Sequence, residues 1–173
     1  MKPHEEHRVR APKRLHVVIV TVSTSRYEKK MSGRESIDEA GDIAEEETRR
    51  AGHSVVQRKL ISDDRRMLRK AINEFLAGDD DVLLFAGGTG LSHRDITVET
   101  VRPFFEKELE GFGELIRRLS YEEVGSAAVL TRATAGVAHG KLIVCMPGSP
   151  GGVATAMKAL VGEFPHALYI ARS

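Results

Sequence analysis

The sequence predicts an α/β fold with a mostly parallel sheet covered on both faces. Two observations point there. Short, continuous, β-branched apolar runs, LHVVIVTV at 15–22 and DVLLFA at 81–86, suit strands buried on both sides. Amphipathic helical stretches separate such runs, which is the pattern of βαβ units. At 173 residues and 41% apolar content, folding buries roughly 70% of the unfolded chain's surface, enough for a sizeable core.

The elements follow in order. Residues 1–14 form a polar arm: five basic residues against Glu5 and Glu6, with Pro3 and Pro12 opposing helix. It reads either as a clasp on a subunit or anion, or as a solvated tail. After the first strand, STSRY reads as a polar loop. From 37 to 51 the spacing turns helical, with Ile37, Ala40, Ala44, Thr48 and Ala51 near one face and Gly52 beyond the end. Residues 53–60 read as a second strand. Ser62-Asp63-Asp64 then opens a helix in which Leu68, Ala71, Ile72, Phe75 and Leu76 share a face, closed by Gly78. The third strand runs into GGTG at 87–90. A further helix is expected over 114–123, strands over 133–138 and 141–146 about His139-Gly140, and a helix over 153–160 after the rigid turn PGSP.

Composition excludes several classes. Lys plus Arg (26) against Asp plus Glu (25) gives +1, with no global basic field for nucleic acid, and aromatics are few. No apolar run approaches the ~20 residues a bilayer needs, and the charged N-terminus has no signal-peptide core. A single cysteine, Cys145, rules out an internal disulfide framework; at the end of an apolar strand it reads as a small core residue. The seven histidines show no zinc spacing. A cytoplasmic domain is the expectation. High charge with few aromatics is compatible with surface ion-pair networks.

In open α/β sheets, ligands bind beyond the carboxyl ends of the strands. The informative loops are therefore STSRY, ISD, GGTGLSHRD and PGSP. Glycines at Gly87, Gly88 and Gly90 let backbone amides converge on an anion, and Thr89 adds a hydroxyl; the bland alternative is a tight turn. No lysine completes a P-loop, and His93 stands where a dinucleotide fingerprint needs glycine. Asp63 and Asp95 each fit a helix N-cap. Together they also fit the pair of carboxylates that Mg²⁺-assisted phosphoryl or nucleotidyl transfer requires. Pro147, Gly148 and Ser149 precede a helix whose N-terminus suits an anion, although proline suits any first turn. Ser120, Tyr121 and Glu123 read as a solvated helix face. His93 and Arg94 are placed to meet phosphate or simply to be soluble.

The ordered series VSTSR, DEAGD, AGH, LISDD, GGTGLSHRDIT, EGFGELIRRLSYEEVG, TRATAGVAHGKL and MPGSP resembles the molybdenum cofactor biosynthesis domain family, the MogA/MoaB group. SYEEVG and TRATAG look closer to the MoaB branch, particularly its archaeal members. The resemblance covers residues 15–172. It implies a three-layer α/β/α sandwich in one domain over 15–173, assembled as a homotrimer or homohexamer. It also implies transfer of AMP from ATP to the terminal phosphate of molybdopterin, ahead of molybdate or tungstate insertion.

Carried over by position, the resemblance places the essential, Mg²⁺-holding aspartates at Asp63 and Asp95. Its substrate loops fall on Gly87, Gly88, Thr89 and Gly90, and on Pro147, Gly148 and Ser149. Ser23 and Ser25 fall in the first-strand loop, and Asp38 and Gly41 in a D-x-S-G motif. Two departures stand out: Ala40 replaces the serine of that motif, and Gly151-Gly152 follow MPGSP, where glycine loosens a helix start. The rival readings are a non-catalytic molybdopterin carrier, favoured by Ala40, and a partner-docking oligomer. Retention of both aspartates favours the enzyme.

Overall fold

The computed structural model describes residues 9–173, so residues 1–8 of the polar arm lie outside the described residues. Of its remainder, Ala11 is buried and the Arg14 guanidinium donates to Ser54 Oγ at 2.6 Å. Six strands form one sheet: β1 (His16–Val22), β2 (Ser54–Ile61), β3 (Val82–Ala86), β4 (Lys107–Glu108), β5 (Thr134–Ala138) and β6 (Lys141–Met146). Their spatial order is β2-β1-β3-β6-β5-β4, parallel through β6 and antiparallel at β5 and β4. β5 and β6 make the expected hairpin, with His139 and Gly140 both at positive φ as a two-residue turn requires.

The helices are α1 (Thr24–Met31), α2 (Glu39–Arg50), α3 (Arg65–Ala77), α4 (Thr97–Val101), α5 (Glu110–Val124), α6 (Pro150–Leu160) and α7 (Phe164–Ala171). Strand side chains alternate between two cores. Val17, Ile19, Leu84, Leu142 and Val144 pack with α2, α5, α6 and α7. Val18, Val20, Leu83, Phe85 and Ile143 pack with α3 and α4 on the other face. This is the three-layer sandwich, and it explains why the central strands carry no polar face. Leu68, Ala71, Ile72 and Phe75 of α3 are all buried, as their spacing predicts. Cys145 is fully buried in the second core, and burial pushes its thiol far above the usual range, so it is a packing residue.

Three expectations need correction. STSRY is not a loop: α1 starts at Thr24, and the Ser23 hydroxyl accepts from the Arg26 amide as its N-cap. No residue of α1 is buried, so it left no apolar stripe to read. Ile37 is not on the apolar face of α2; it precedes the N-cap, Asp38, and is 71% exposed. Gly151-Gly152 do not leave the start of α6 loose. Ser149 caps it by accepting the Gly152 amide at 3.2 Å, and a Cβ at Gly152 would lie 2.6 Å from Pro147 Cβ. Surface pairs do form, such as Arg49–Glu45 and Arg50–Glu46, each contributing little to stability.

His53, between α2 and β2, is buried against the ring of Phe164, with no partner for its Nδ1 among the described residues. Burial lowers its pKa, opposed by a main-chain bond at Val161 and by the charge of Asp81. The folded state thus holds His53 neutral while the unfolded chain protonates near pH ~6.5. Its contribution to stability is present above that pH and is lost as pH falls toward the lower folded-state value. Urea melts between about pH 7.5 and 5.5 should show a steeper loss for wild type than for His53→Gln. Parallel slopes would contradict this.

Candidate active-site cleft

β1 connects leftward to β2, and the chain then crosses back to β3 on the other side of β1. The carboxyl ends of β1 and β3 therefore open a crevice at the point where strand order reverses. A cleft of about 660 Å³ occupies it, lined by all four strand-end loops and by the segment before β5. That volume suits a sizeable organic ligand.

Each loop is fixed locally. After β1, the Ser23 amide bonds Ile61 O at 2.9 Å, which ties the loop to the end of β2. Ser23 and Ser25 line the cleft with their hydroxyl oxygens 3.4 Å apart. Asp63, after β2, is not a helix cap; Asp64 is, accepting from the Met67 amide at 2.8 Å. Asp63 instead turns into the cleft, where its Oδ2 accepts from the amide of Thr24 (3.1 Å) and its hydroxyl (2.8 Å). Asp95 does not cap α4 either, which has no side-chain cap. Its Oδ2 accepts from the Ser92 amide at 3.0 Å and folds the GGTGLSHRD loop back on itself. In each aspartate Oδ1 accepts no hydrogen bond among the described residues.

The glycine loop is held between these acids. Gly87 has φ +112 and Gly88 φ +65, backbone that L side chains rarely adopt. A Cβ at Gly87 would run into the carbonyl of Val22, and one at Gly88 would overlap Thr97 Oγ1 and lie 2.9 Å from Asp63 Oδ1. A Cβ at Gly90 would lie 2.7 Å from Asp95 Oδ2. Across the cleft, Gly148 approaches so closely that its Cβ would sit 3.0 Å from Gly87 Cα. Among the described residues the amides of Gly88, Thr89, Gly90 and Gly148 have no acceptor. Uncommitted amides converging at strand ends are an anion cradle.

The structure brings together Ser23, Ser25, Asp63, Gly87, Gly88, Thr89, Gly90, Asp95, Pro147, Gly148 and Ser149. It does not bring Asp38 or Gly41 to this cleft. The Asp38 carboxylate caps α2 by accepting from Gly41 N, and it also accepts from Thr21 Oγ1 and Arg58. Gly41 has no Cβ because the same carboxylate fills that space. Ala40, between them, is buried in the first core, so the missing serine hydroxyl leaves the cleft unchanged. Arg94 lines the cleft and His93 does not.

The sequence reading missed Thr24, Arg26 and Arg132. The Arg132 guanidinium donates to Gly90 O at 2.6 Å and pairs with Glu99, strapping the glycine loop from a segment 42 positions away. Arg26, Arg94 and Arg132 give the rim cations to set against the two acids.

An open α/β sheet with an anion cradle and two carboxylates at its switch point defines a class of proteins that handle phosphate-bearing small molecules. Residues 18–166 match the family described as "Probable molybdopterin binding domain". The molybdopterin adenylyltransferase of Pyrococcus furiosus is 40% identical over 172 residues, covering 97% of this chain and 98% of that protein. The probable molybdopterin adenylyltransferase of Methanocaldococcus jannaschii is 38% identical, covering 90% and 93%. The crystal structure of the tungsten cofactor synthesizing protein MoaB from P. furiosus superposes with a TM-score of 0.84 at 38% identity, covering 94% of this chain and all of that one. The chain belongs to the molybdopterin-binding domain family.

Proposed function

We propose that the chain is a molybdopterin adenylyltransferase in molybdenum or tungsten cofactor biosynthesis, joining AMP from ATP to the terminal phosphate of molybdopterin and releasing pyrophosphate. The observation that carries this is the pairing of two cleft carboxylates, Asp63 and Asp95, with the uncommitted amides of Gly88, Thr89 and Gly90. Identity of 38% and 40% over 90% and 97% of this chain to relatives named probable molybdopterin adenylyltransferase and molybdopterin adenylyltransferase supports it. The working unit is one domain over residues 15–173, in the cytoplasm. It works as a homotrimer or homohexamer.

In the reaction an oxygen of the molybdopterin phosphate attacks the α-phosphorus of ATP. The new O–P bond forms as the bond to the β-phosphate oxygen breaks, and pyrophosphate leaves with that electron pair. No covalent protein nucleophile is needed, because such transfers are catalysed by positioning and charge stabilisation. The glycine-loop amides hold phosphate oxygens in a fixed field, and the Gly148 amide and Ser149 face them from the start of α6. Thr24 holds Asp63 by one oxygen and leaves the other without a donor among the described residues.

Two carboxylates beside phosphates repel them unless a cation stands between. No cluster of three or more metal-ligating side chains exists among the described residues, so the donor set is not a resident metal cage. It fits Mg²⁺, which takes one or two carboxylates and completes its shell with substrate phosphates and water. Asp63 and Asp95 would hold it, and bound there it would neutralise charge on the triphosphate and on departing pyrophosphate. The carrier alternative loses its support, since Ala40 lies in the core and away from the cleft.

Purified protein given ATP and Mg²⁺ should release pyrophosphate only when molybdopterin is added. Release without molybdopterin, or none with both, would refute the reading.

A further inference from the structure

Thr97, the first residue of α4, is fully buried, yet its hydroxyl has no hydrogen-bond partner among the described residues. A threonine in a helix ordinarily bonds the carbonyl four residues back. Thr48 does so to Ala44 O at 2.6 Å and Thr100 to Ile96 O at 2.7 Å. Thr97 does not. Its amide donates to Gly88 O at 2.9 Å, which pins it beneath the glycine loop. Its hydroxyl points at the side of Gly88 where a Cβ would overlap it, and that same point lies 2.9 Å from Asp63 Oδ1.

Asp63 is half-satisfied in a complementary way. Oδ2 is held twice by Thr24, while Oδ1 accepts nothing among the described residues. A buried donor without an acceptor and a carboxylate oxygen without a donor thus face one small volume beside Gly88. Valine would fill the Thr97 space without stranding a hydroxyl, so the hydroxyl costs stability where it stands.

We propose that Thr97 is a positioning residue for the transfer. In the loaded cleft its hydroxyl donates to Asp63 Oδ1 and fixes the second oxygen of that carboxylate, whose first is fixed by Thr24. Thr97 touches no substrate; it sets the rotation of the carboxylate that faces the phosphates. The inference rests on the adenylyl-transfer reading above.

The test compares wild type, Thr97→Val, Thr97→Ser, Asp63→Asn and the Thr97→Val/Asp63→Asn double variant for Tm, kcat and KM for ATP. Thr97→Val should keep or raise the Tm and lower kcat about 10- to 100-fold, the scale of a misplaced catalytic group. KM for ATP should stay within about threefold. Thr97→Ser should recover most of the loss, and Thr97→Val should add nothing once Asp63 is Asn. A Thr97→Val enzyme with wild-type kcat overturns the inference alone. So does a loss that serine fails to rescue, or one that persists on top of Asp63→Asn. Wild type without product overturns the transfer reading and this inference with it.

Discussion

Asp95→Asn should cut adenylyl transfer by about 10²- to 10³-fold, the scale seen when one preorganised electrostatic group is removed from a site, without unfolding the protein. The substitution is clean because of how Asp95 is held. Among the described residues its side chain makes one bond, Oδ2 accepting the Ser92 amide at 3.0 Å, and an asparagine carbonyl oxygen accepts that bond equally well. The loop keeps its shape and Gly90 keeps its neighbour. What disappears is the negative charge beside the glycine-loop amides. Thermal melts should agree with wild type to within about 1 kcal/mol, the worth of one ordinary hydrogen bond. Near-normal kcat in a folded Asp95→Asn would remove Asp95 from the chemistry. Asp63 is a poorer probe, because its Oδ2 also anchors Thr24 at the start of α1.

Gly87→Ala has the largest expected effect on the fold. At φ +112 an alanine is strained whatever the space around it, and here the new methyl would meet the main-chain carbonyl of Val22. That carbonyl ends β1, where Val22 is in register with Ile61 of β2 and the next amide, Ser23 N, donates to Ile61 O at 2.9 Å, so it has little room to move. Strain and overpacking together predict a loss of about 2–4 kcal/mol, or a fall in Tm of roughly 5–15 °C at this chain length. Turnover should fall too, since Gly87 abuts Gly148 across the cleft floor. An alanine variant with wild-type Tm would show that the close approach of β1 and the glycine loop is not a constraint.

Much of the fold was legible because periodicity survives in the elements that bury surface. The apolar runs of β1 and β3 and the stripe Leu68-Ala71-Ile72-Phe75 announced their burial directly. The four loops of the cleft followed from topology alone, since a parallel sheet puts its strand-end loops at one edge. Elements that bury little were illegible. α1 has no buried residue, β4 is two residues long and α4 five.

Roles that depend on distant neighbours were equally hidden. Asp63 and Asp64 look interchangeable as caps in sequence, and only the position of Thr24 separates the cap from the cleft residue. Arg132 was visible as part of a motif, but nothing local indicates that it reaches back to Gly90. Ile37 misled because, three positions before Ala40 and seven before Ala44, it fits helical spacing by chance; the helix starts only after the N-cap at Asp38.

The most direct test of the central claim is to look at the product itself. Protein incubated with molybdopterin, ATP and Mg²⁺ should yield, by mass spectrometry, molybdopterin carrying AMP on its terminal phosphate, with one pyrophosphate released per adduct. Molybdopterin bound but unmodified, with ATP intact, would contradict the account and make the cleft a binding site only.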